Sequence, residues 1–523
     1  MTELPDYRLD AVRLENFMGY EDSGWVELRP ITFVSGRNSS GKSALIRALL
    51  LLKQSMAAPN GDSPPLLFSG ELVDLGTYYN TVREHDKSRN IAFAFRVAHP
   101  NWPDPAPLPD NPSDEQRKVF DAQLALRKSR IPSWSQGDKG ADVADSPFEL
   151  RLEYGLLEGN EQARLKKCSV WGYRGSELDP TPVLLFSLTY EEDGHAWLPD
   201  SEAPLDYDAQ VPDYDDQGYP IMGDDEKTKY HSERRSQFSD QDWWPAAGIN
   251  FYSTIVPTLI LRDQVHSQSK PPGDWQIINA ALDFLQKHVD NLLKSIVYQP
   301  PLRDKAQRYY RADSPLVRSL MDEESATVRQ EIDRWLSAAS LDARIDTREL
   351  SKEEGLVAIY LKEQPENAEN DFQSNLYDVG SGVAQVLPII AAGILAPAGS
   401  FVIIEQPELH LHPKAQAELV DFFLTMASGK KEHRFLLETH SDSILLRTRL
   451  RIAQTTRSQL PEGMHGLKHD DMILYFVERT EGVSHLTQLH FSPRGRFVEP
   501  PRQFADFFTS DLDDLDMLDS LAE

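Results

Sequence analysis

Apolar and polar positions alternate in short runs over the first hundred residues. "VRLENF", "ITFVSG" and "IAFAFRV" carry the period-two pattern of strands, and the stretch from Ala44 to Lys53, after a loop rich in glycine and serine, has helical spacing. That order is a strand–loop–helix unit. Further strands are expected in "FELRLEYGLLE", "ARLKKCSVWGY" and "PVLLFSLTYEE". Two polar segments flank them, "PNWPDPAPLPDNPSDEQ" from Pro100 and "DYDAQVPDYDDQGYPIMGDDEK" at 206–227, too poor in apolar side chains to pack and therefore expected as exposed, partly disordered loops. Residues 276–296 and 316–339 return to helical spacing without enough heptads for a long coiled coil. The pattern divides the chain into a lobe at 1–98, an acidic insertion with a small sheet at 99–270, a helical region at 271–345, a second lobe at 346–460 and a small C-terminal region with an acidic tail at 461–523.

Length and charge narrow the possibilities. A chain of 523 residues is too long for one core. A net charge of −29 argues against a surface that binds nucleic acid everywhere, so any DNA contact must be local. The single cysteine, Cys168, forms no intrachain disulfide and supplies no cysteine-rich metal site, which fits a reducing compartment. The longest apolar run, Val386 to Ala396, is too short for a bilayer and contains Pro388, so it reads as a buried helix. The N-terminus lacks the pattern of a secretion signal. A cytoplasmic protein without membrane contact is expected.

"SGRNSSGKSALIRAL" at 35–49 holds the strongest chemical signal. Gly36, Gly41, Lys42 and Ser43 match G-x-x-x-x-G-K-[ST], with a β-run before the loop and a helix after it. The mechanism needs this order. Glycines let backbone N–H groups approach a phosphate, the helix N-terminus adds its positive end, Lys42 neutralises charge and the Ser43 hydroxyl can ligate Mg²⁺.

Downstream, "SFVIIEQPELHLHP" has an apolar β-run ending in Glu405, the layout of a Walker B strand whose acid reaches Mg²⁺. "HRFLLETHSDSILLRTR" is another β-run, ending at Thr439, His440 and Ser441, and His440 is placed to sense a γ-phosphate. In "LYDVGSGVAQVLPII", Gly380, Ser381 and Gly382 precede a helix-like run, either as a cap or as a second anion site at a helix N-terminus.

The order of these motifs resembles the ABC-type ATPase heads of the SMC, RecF and OLD-nuclease group. The tail "MILYFVERTEGVSHLTQLHFSPRGRFVEPPRQFADFF" is similar to a short C-terminal region found on one branch of these bacterial ATPases. The resemblance implies an α/β P-loop NTPase of ABC-ATPase head type with an inserted β-rich and helical region, using ATP and Mg²⁺. It implies that two protomers sandwich ATP as a homodimer or higher homo-oligomer. By motif position, Gly36, Asn38, Gly41, Lys42 and Ser43 hold phosphate, Ser43 and Glu405 face Mg²⁺, His440 is the switch histidine, and Ser381 and Gly382 reach the γ-phosphate across the dimer. "YQPPLRDKAQRYY" resembles another recurring stretch of this branch and adds Arg303, equally readable as a solvated arginine.

One departure from the pattern bears on catalysis. Where most such ATPases have Asp-Glu, this chain has Glu405-Gln406, then Pro407 and Glu408. Gln406 can orient water but is not a useful general base. Slow hydrolysis in a long-lived closed dimer is one consequence; takeover by Glu408, otherwise a helix-start acid, is the other.

About 80 residues follow His440, too few for the remainder of a head plus the Toprim domain of OLD nucleases. The expected function is therefore a slow ATPase whose dimerisation regulates a separate effector, a nuclease or toxin, as the resemblance to ATPase subunits of anti-phage systems such as Septu and PARIS implies. Two alternatives stand beside it. A RecF-like DNA clamp would use Arg447, Arg449 and Arg451, or Arg303, Lys305, Arg308 and Arg311, unless these pair with carboxylates of the same chain. The other is a scaffold that holds ATP without turnover.

Overall fold

The computed structural model describes residues 9–57, 66–97, 148–156, 163–174, 181–191, 196–200, 213–214, 220–221, 247–250, 258–261, 286–303, 305–321, 325–339, 343–363, 373–379, 381–464, 466–500 and 504. Gly380, the proline-rich stretch from Pro100 and the acidic tail lie outside the described residues. The chain forms two compact units, one from Met1–Val26 and Arg47–Lys294, the other from Glu27–Ile46 and Ser295–Glu523.

The first unit is built on an antiparallel sheet. Its strands run in the order Tyr20–Asp22, Ala11–Phe17, Ile91–Val97, Phe148–Leu156, Ala163–Arg174, Thr181–Glu191 and Ala196–Asp200. The strands expected as a separate small sheet within the insertion instead extend the N-terminal sheet, because Phe148–Leu156 pairs directly with Ile91–Val97. Packing explains the join. Ile91, Phe93 and Phe95 are buried, and the Phe93 ring sits between Phe17 and Tyr154, with centroids at 5.6 and 6.0 Å. Cys168 is fully buried opposite Leu152, and burial pushes its thiol well above the usual range, which makes it inert.

The second unit carries the motifs. Its central sheet has the order Ile296–Gln299, Phe401–Glu405, Arg434–Glu438, Ile31–Gly36, Met472–Thr480 and Val483–His490. All neighbours are parallel except the last pair. Strands buried on both faces need continuous apolar runs, and Phe401–Glu405, Arg434–Glu438 and Ile31–Gly36 are buried at every position. A smaller antiparallel sheet of Tyr310–Arg311, Leu356–Glu363, Ala343–Ser351 and Gln373–Asn375 belongs to the same unit.

Helices Ser325–Ala338, Ser381–Leu395 and Pro413–Ser428 join these sheets in one core through Ile332, Ile390, Leu419 and Phe423, packed with Ile404, Phe435 and Phe33. Ser381–Leu395 is the buried helix expected from the run containing Pro388. Pro413 opens its helix at the first turn, where its missing N–H costs nothing. Among the described residues, no helix is long and apolar enough to cross a membrane.

Two stretches differ from their sequence pattern. The helical spacing over 276–296 ends in the strand Ile296–Gln299, which pairs with Phe401–Glu405 and so brings Tyr298 and Arg303 beside Glu405. The residues grouped as a small C-terminal region supply Met472–Thr480, the immediate neighbour of the P-loop strand.

Candidate functional site

The carboxyl ends of parallel strands are where open α/β sheets place their chemistry, because the chain leaves each strand there into a loop or helix. Three such ends meet in this sheet. Ile31–Gly36 runs into the P-loop, Phe401–Glu405 ends at the acid expected for Walker B, and Arg434–Glu438, which lies between them, leads into Thr439 and His440.

Gly36 has a φ of 140°, and a Cβ there would lie 2.2 Å from the Val477 carbonyl oxygen. Only glycine lets the loop leave the sheet so close to its neighbour. Gly41 has a φ of 111° and Ser39 one of 61°, so the loop turns back sharply before the helix Lys42–Ala57 begins. The Lys42 ammonium is folded into this loop, donating to the carbonyls of Gly36 at 3.1 Å and Arg37 at 2.7 Å, and burial pulls its pKa below the usual lysine value. Ser40 is 2% exposed and its hydroxyl has no hydrogen-bond partner among the described residues. Asn38 is exposed on the loop.

Two acids stand beside the start of this helix. Glu405 and Glu438 are register partners on adjacent strands. Ser43 donates its hydroxyl to Glu438 Oε2 at 3.0 Å, while Tyr298 donates to Glu405 Oε1 at 2.5 Å. Burial, reinforced by the negative charge of Glu405, pushes the Glu438 carboxyl up to about 7, against the opposing pull of Lys42 and Ser43. Ser43, Glu405 and Glu438 offer the hard oxygen donors that Mg²⁺ takes, and among the described residues no group of three or more His, Cys, Asp or Glu could hold a metal. That donor set fits Mg²⁺, which is usually held by one or two carboxylates together with substrate phosphates.

Arg303 lies behind Glu405. Its Nη2 donates to the Glu405 carbonyl at 2.9 Å, and its backbone exchanges hydrogen bonds with the Gln385 side chain at 3.2 and 3.3 Å. It is 6% exposed, so it is a buried arginine and not a solvated one. Burial lowers its pKa to about 10, against the pull of Glu408, Tyr298 and Glu405.

Gln406 leaves the strand with a φ of 46°, and its N–H donates to the Glu438 carbonyl at 2.7 Å. Glu408 does not start a helix; that helix begins at Pro413. It accepts instead from the His440 N–H at 2.7 Å and the Thr439 hydroxyl at 2.9 Å, tying the loop after Phe401–Glu405 to the segment after Arg434–Glu438. Burial raises its pKa, partly offset by those donors. Burial and nearby Lys42 lower the pKa of His440, favouring its neutral form at neutral pH, and its buried Nε2 has no hydrogen-bond partner among the described residues.

The fold is an α/β P-loop fold, a mostly parallel sheet in which Ile31–Gly36 runs through a glycine-rich loop into the helix Lys42–Ala57. Residues 274–446 match the family model described as "AAA domain, putative AbiEii toxin, Type IV TA system", a span that holds the Walker B and switch motifs but not the P-loop. Among solved structures, the chain is similar to the Smc head domain with an extended coiled coil bound to the C-terminal domain of ScpA from Pyrococcus furiosus, at 10% identity and a TM-score of 0.35, covering 92% of this chain and 96% of that one. It is also similar to the SMC head domain from Thermotoga maritima, at 10% identity and a TM-score of 0.33, covering 92% and 98%. No match was found among curated proteins.

The remaining candidates fall elsewhere in the second unit. A Cβ at Gly382 would lie 2.6 Å from the His410 carbonyl oxygen, so this glycine lets the helix opened by Ser381 pack on the loop after the Walker B strand. Arg447 pairs with Glu418 at 2.6 Å and Asp421 at 3.0 Å, and Arg451 grips Asp421 through two bonds of 2.7 Å. Arg449 donates to the Gly495 carbonyl at 2.9 Å, and Arg308 binds Asp378 at 2.8 and 3.1 Å. Glu438 was absent from the sequence expectation, although "HRFLLE" ends an apolar β-run in an acid just as "SFVIIE" does.

Proposed function

We propose that this protein binds Mg²⁺ and ATP at the P-loop and hydrolyses ATP slowly, and that nucleotide-dependent dimerisation of the head regulates a separate effector, a nuclease or toxin, in bacterial anti-phage defence. The observation that carries the nucleotide part is the meeting of Lys42, Ser43, Glu405, Glu438, Gln406 and His440 at the carboxyl ends of three adjacent strands. Each side chain has a distinct task. Lys42 leaves its loop carbonyls for phosphate oxygens, and the N–H groups at the start of its helix add their positive end. Ser43 and Glu405 would hold Mg²⁺, which when bound neutralises charge on the phosphates. Gln406 orients water without taking its proton, which makes turnover slow. Neutral His440, held by Glu408 through its N–H, senses the terminal phosphate. Ser381 and Gly382 act across the dimer.

The effector part is supported by the family description, which speaks of a toxin and a toxin–antitoxin system. The DNA-clamp reading has less support, because Arg447, Arg449, Arg451 and Arg308 are held by groups of the same chain. Gln406 also favours a second reading, an ATP-bound scaffold without turnover, which a turnover assay on the Gln406→Glu variant separates from the first. The experiment for the effector is to tag the chain in its native host and purify it with ATP and Mg²⁺ beside a Lys42→Ala control. A co-purifying nuclease or toxin that is lost in the control supports the reading. A bare homodimer, or DNA alone, overturns it.

A further inference from the structure

Glu405 is followed by Gln406, so the end of Phe401–Glu405 offers a metal one carboxylate. We infer that Glu438 supplies a second carboxylate from the neighbouring strand, as a metal-facing ligand that forms a pair with Glu405 when Mg²⁺ and nucleotide bind. This rests on the nucleotide-binding reading and extends it to a residue outside the Walker motifs.

Three observations converge on Glu438. Its position is fixed by the sheet, since it is the last residue of Arg434–Glu438 and the register partner of Glu405, so both carboxylates leave adjacent strands at the same level. The strand end is pinned further by the Gln406 N–H on the Glu438 carbonyl and by the Thr439 N–H on the Val34 carbonyl at 3.0 Å, at the root of the P-loop. Its Oε2 is held by the Ser43 hydroxyl, the group a P-loop offers to Mg²⁺.

The compensation for its charge is incomplete. Glu438 is 4% exposed, and among the described residues the Ser43 hydroxyl is the one hydrogen-bond donor its carboxylate receives. Lys42, on the same loop, spends its short contacts on the carbonyls of Gly36 and Arg37. A buried carboxylate with one neutral donor and a like-charged neighbour is costly unless a cation joins it. The buried, unpartnered Ser40 hydroxyl marks the same loop as a polar site built for a further ligand. A structural carboxylate would be expected to hold donors on both oxygens, as Glu408 does.

The test measures ATP affinity of the full chain by calorimetry, in excess Mg²⁺ and in EDTA, for the wild type, Glu438→Gln and Glu438→Asp. The wild type should bind more tightly with Mg²⁺. Glu438→Gln should lose roughly 10- to 100-fold of that Mg²⁺-dependent gain. Its affinity in EDTA should not fall below the wild-type value, because the substitution removes a negative charge that repels the phosphates; a fall there would report a damaged P-loop, and Glu438→Asp should keep part of the Mg²⁺-dependent gain. Mn²⁺ in place of Mg²⁺ gives a second readout by electron paramagnetic resonance, in which Glu438→Gln should leave more free Mn²⁺ at equal nucleotide. An undiminished Mg²⁺-dependent gain in Glu438→Gln overturns the assignment. Failure of the wild type to bind ATP in either condition overturns the nucleotide-binding reading itself.

Discussion

The Ser43 hydroxyl donates to Glu438 Oε2 at 3.0 Å, joining the first turn of the P-loop helix to the end of the strand that precedes His440. The second of two buried acids is thereby held at the mouth of the phosphate loop, beside Glu405.

That arrangement costs stability before any ligand binds. The Glu438 carboxyl is raised from an ordinary 4.5 to about 7, so between those values the folded chain keeps a proton that the unfolded chain releases. Stability from this group therefore falls as pH rises from about 4.5 through about 7. Without nucleotide, Glu438→Gln should melt about 2–4 °C above the wild type at pH 8, with the gap closing towards pH 5. Thermal denaturation across that pH range measures it, and a constant gap would remove the explanation.

Gly36→Ala should disable the loop through sterics alone. The new methyl would meet the Val477 carbonyl at 2.2 Å on a backbone with a φ of 140°. A loss of about 2–4 kcal/mol is expected, with loss of ATP binding. Urea unfolding and nucleotide titration of the same preparation check both.

The proposed slow turnover rests on residue 406. The positive φ and the bond from its N–H to the Glu438 carbonyl fix the backbone, so Gln406→Glu changes chemistry with little change of position. A general base restored there should raise the ATPase rate by about 10²-fold, measured as phosphate release. No change would favour the scaffold reading.

The phosphate loop was legible because its chemistry is local: glycines, lysine and serine at fixed spacing between a strand and a helix. Glu405 was legible from the apolar run it ends. Glu438 obeys the same rule, yet its meaning depends on Arg434–Glu438 lying between the other two strands, which is a property of sheet order. Tyr298 is hidden for a related reason, since helical spacing runs into Ile296–Gln299 and the switch to an edge strand is set by pairing with Phe401–Glu405. Arg303 and Glu408 have partners 102 and 32 residues away, respectively, beyond any local pattern.

Charge at Arg451 supports the fold. The guanidinium is buried and bonded twice to Asp421, so Arg451→Glu sets two carboxylates against each other inside the unit. It should cost about 3–5 kcal/mol. Denaturant titration checks this, and a stable variant that had lost DNA affinity would revive the clamp.

The most direct measurement is calorimetric titration of ATP with Mg²⁺ into the full-length protein and into Lys42→Ala. Saturable binding at one site per chain is expected for the wild type, weakened at least about tenfold in the variant, which lacks the only ammonium folded into the described phosphate loop. Equal binding by both, or none by the wild type, would contradict the account.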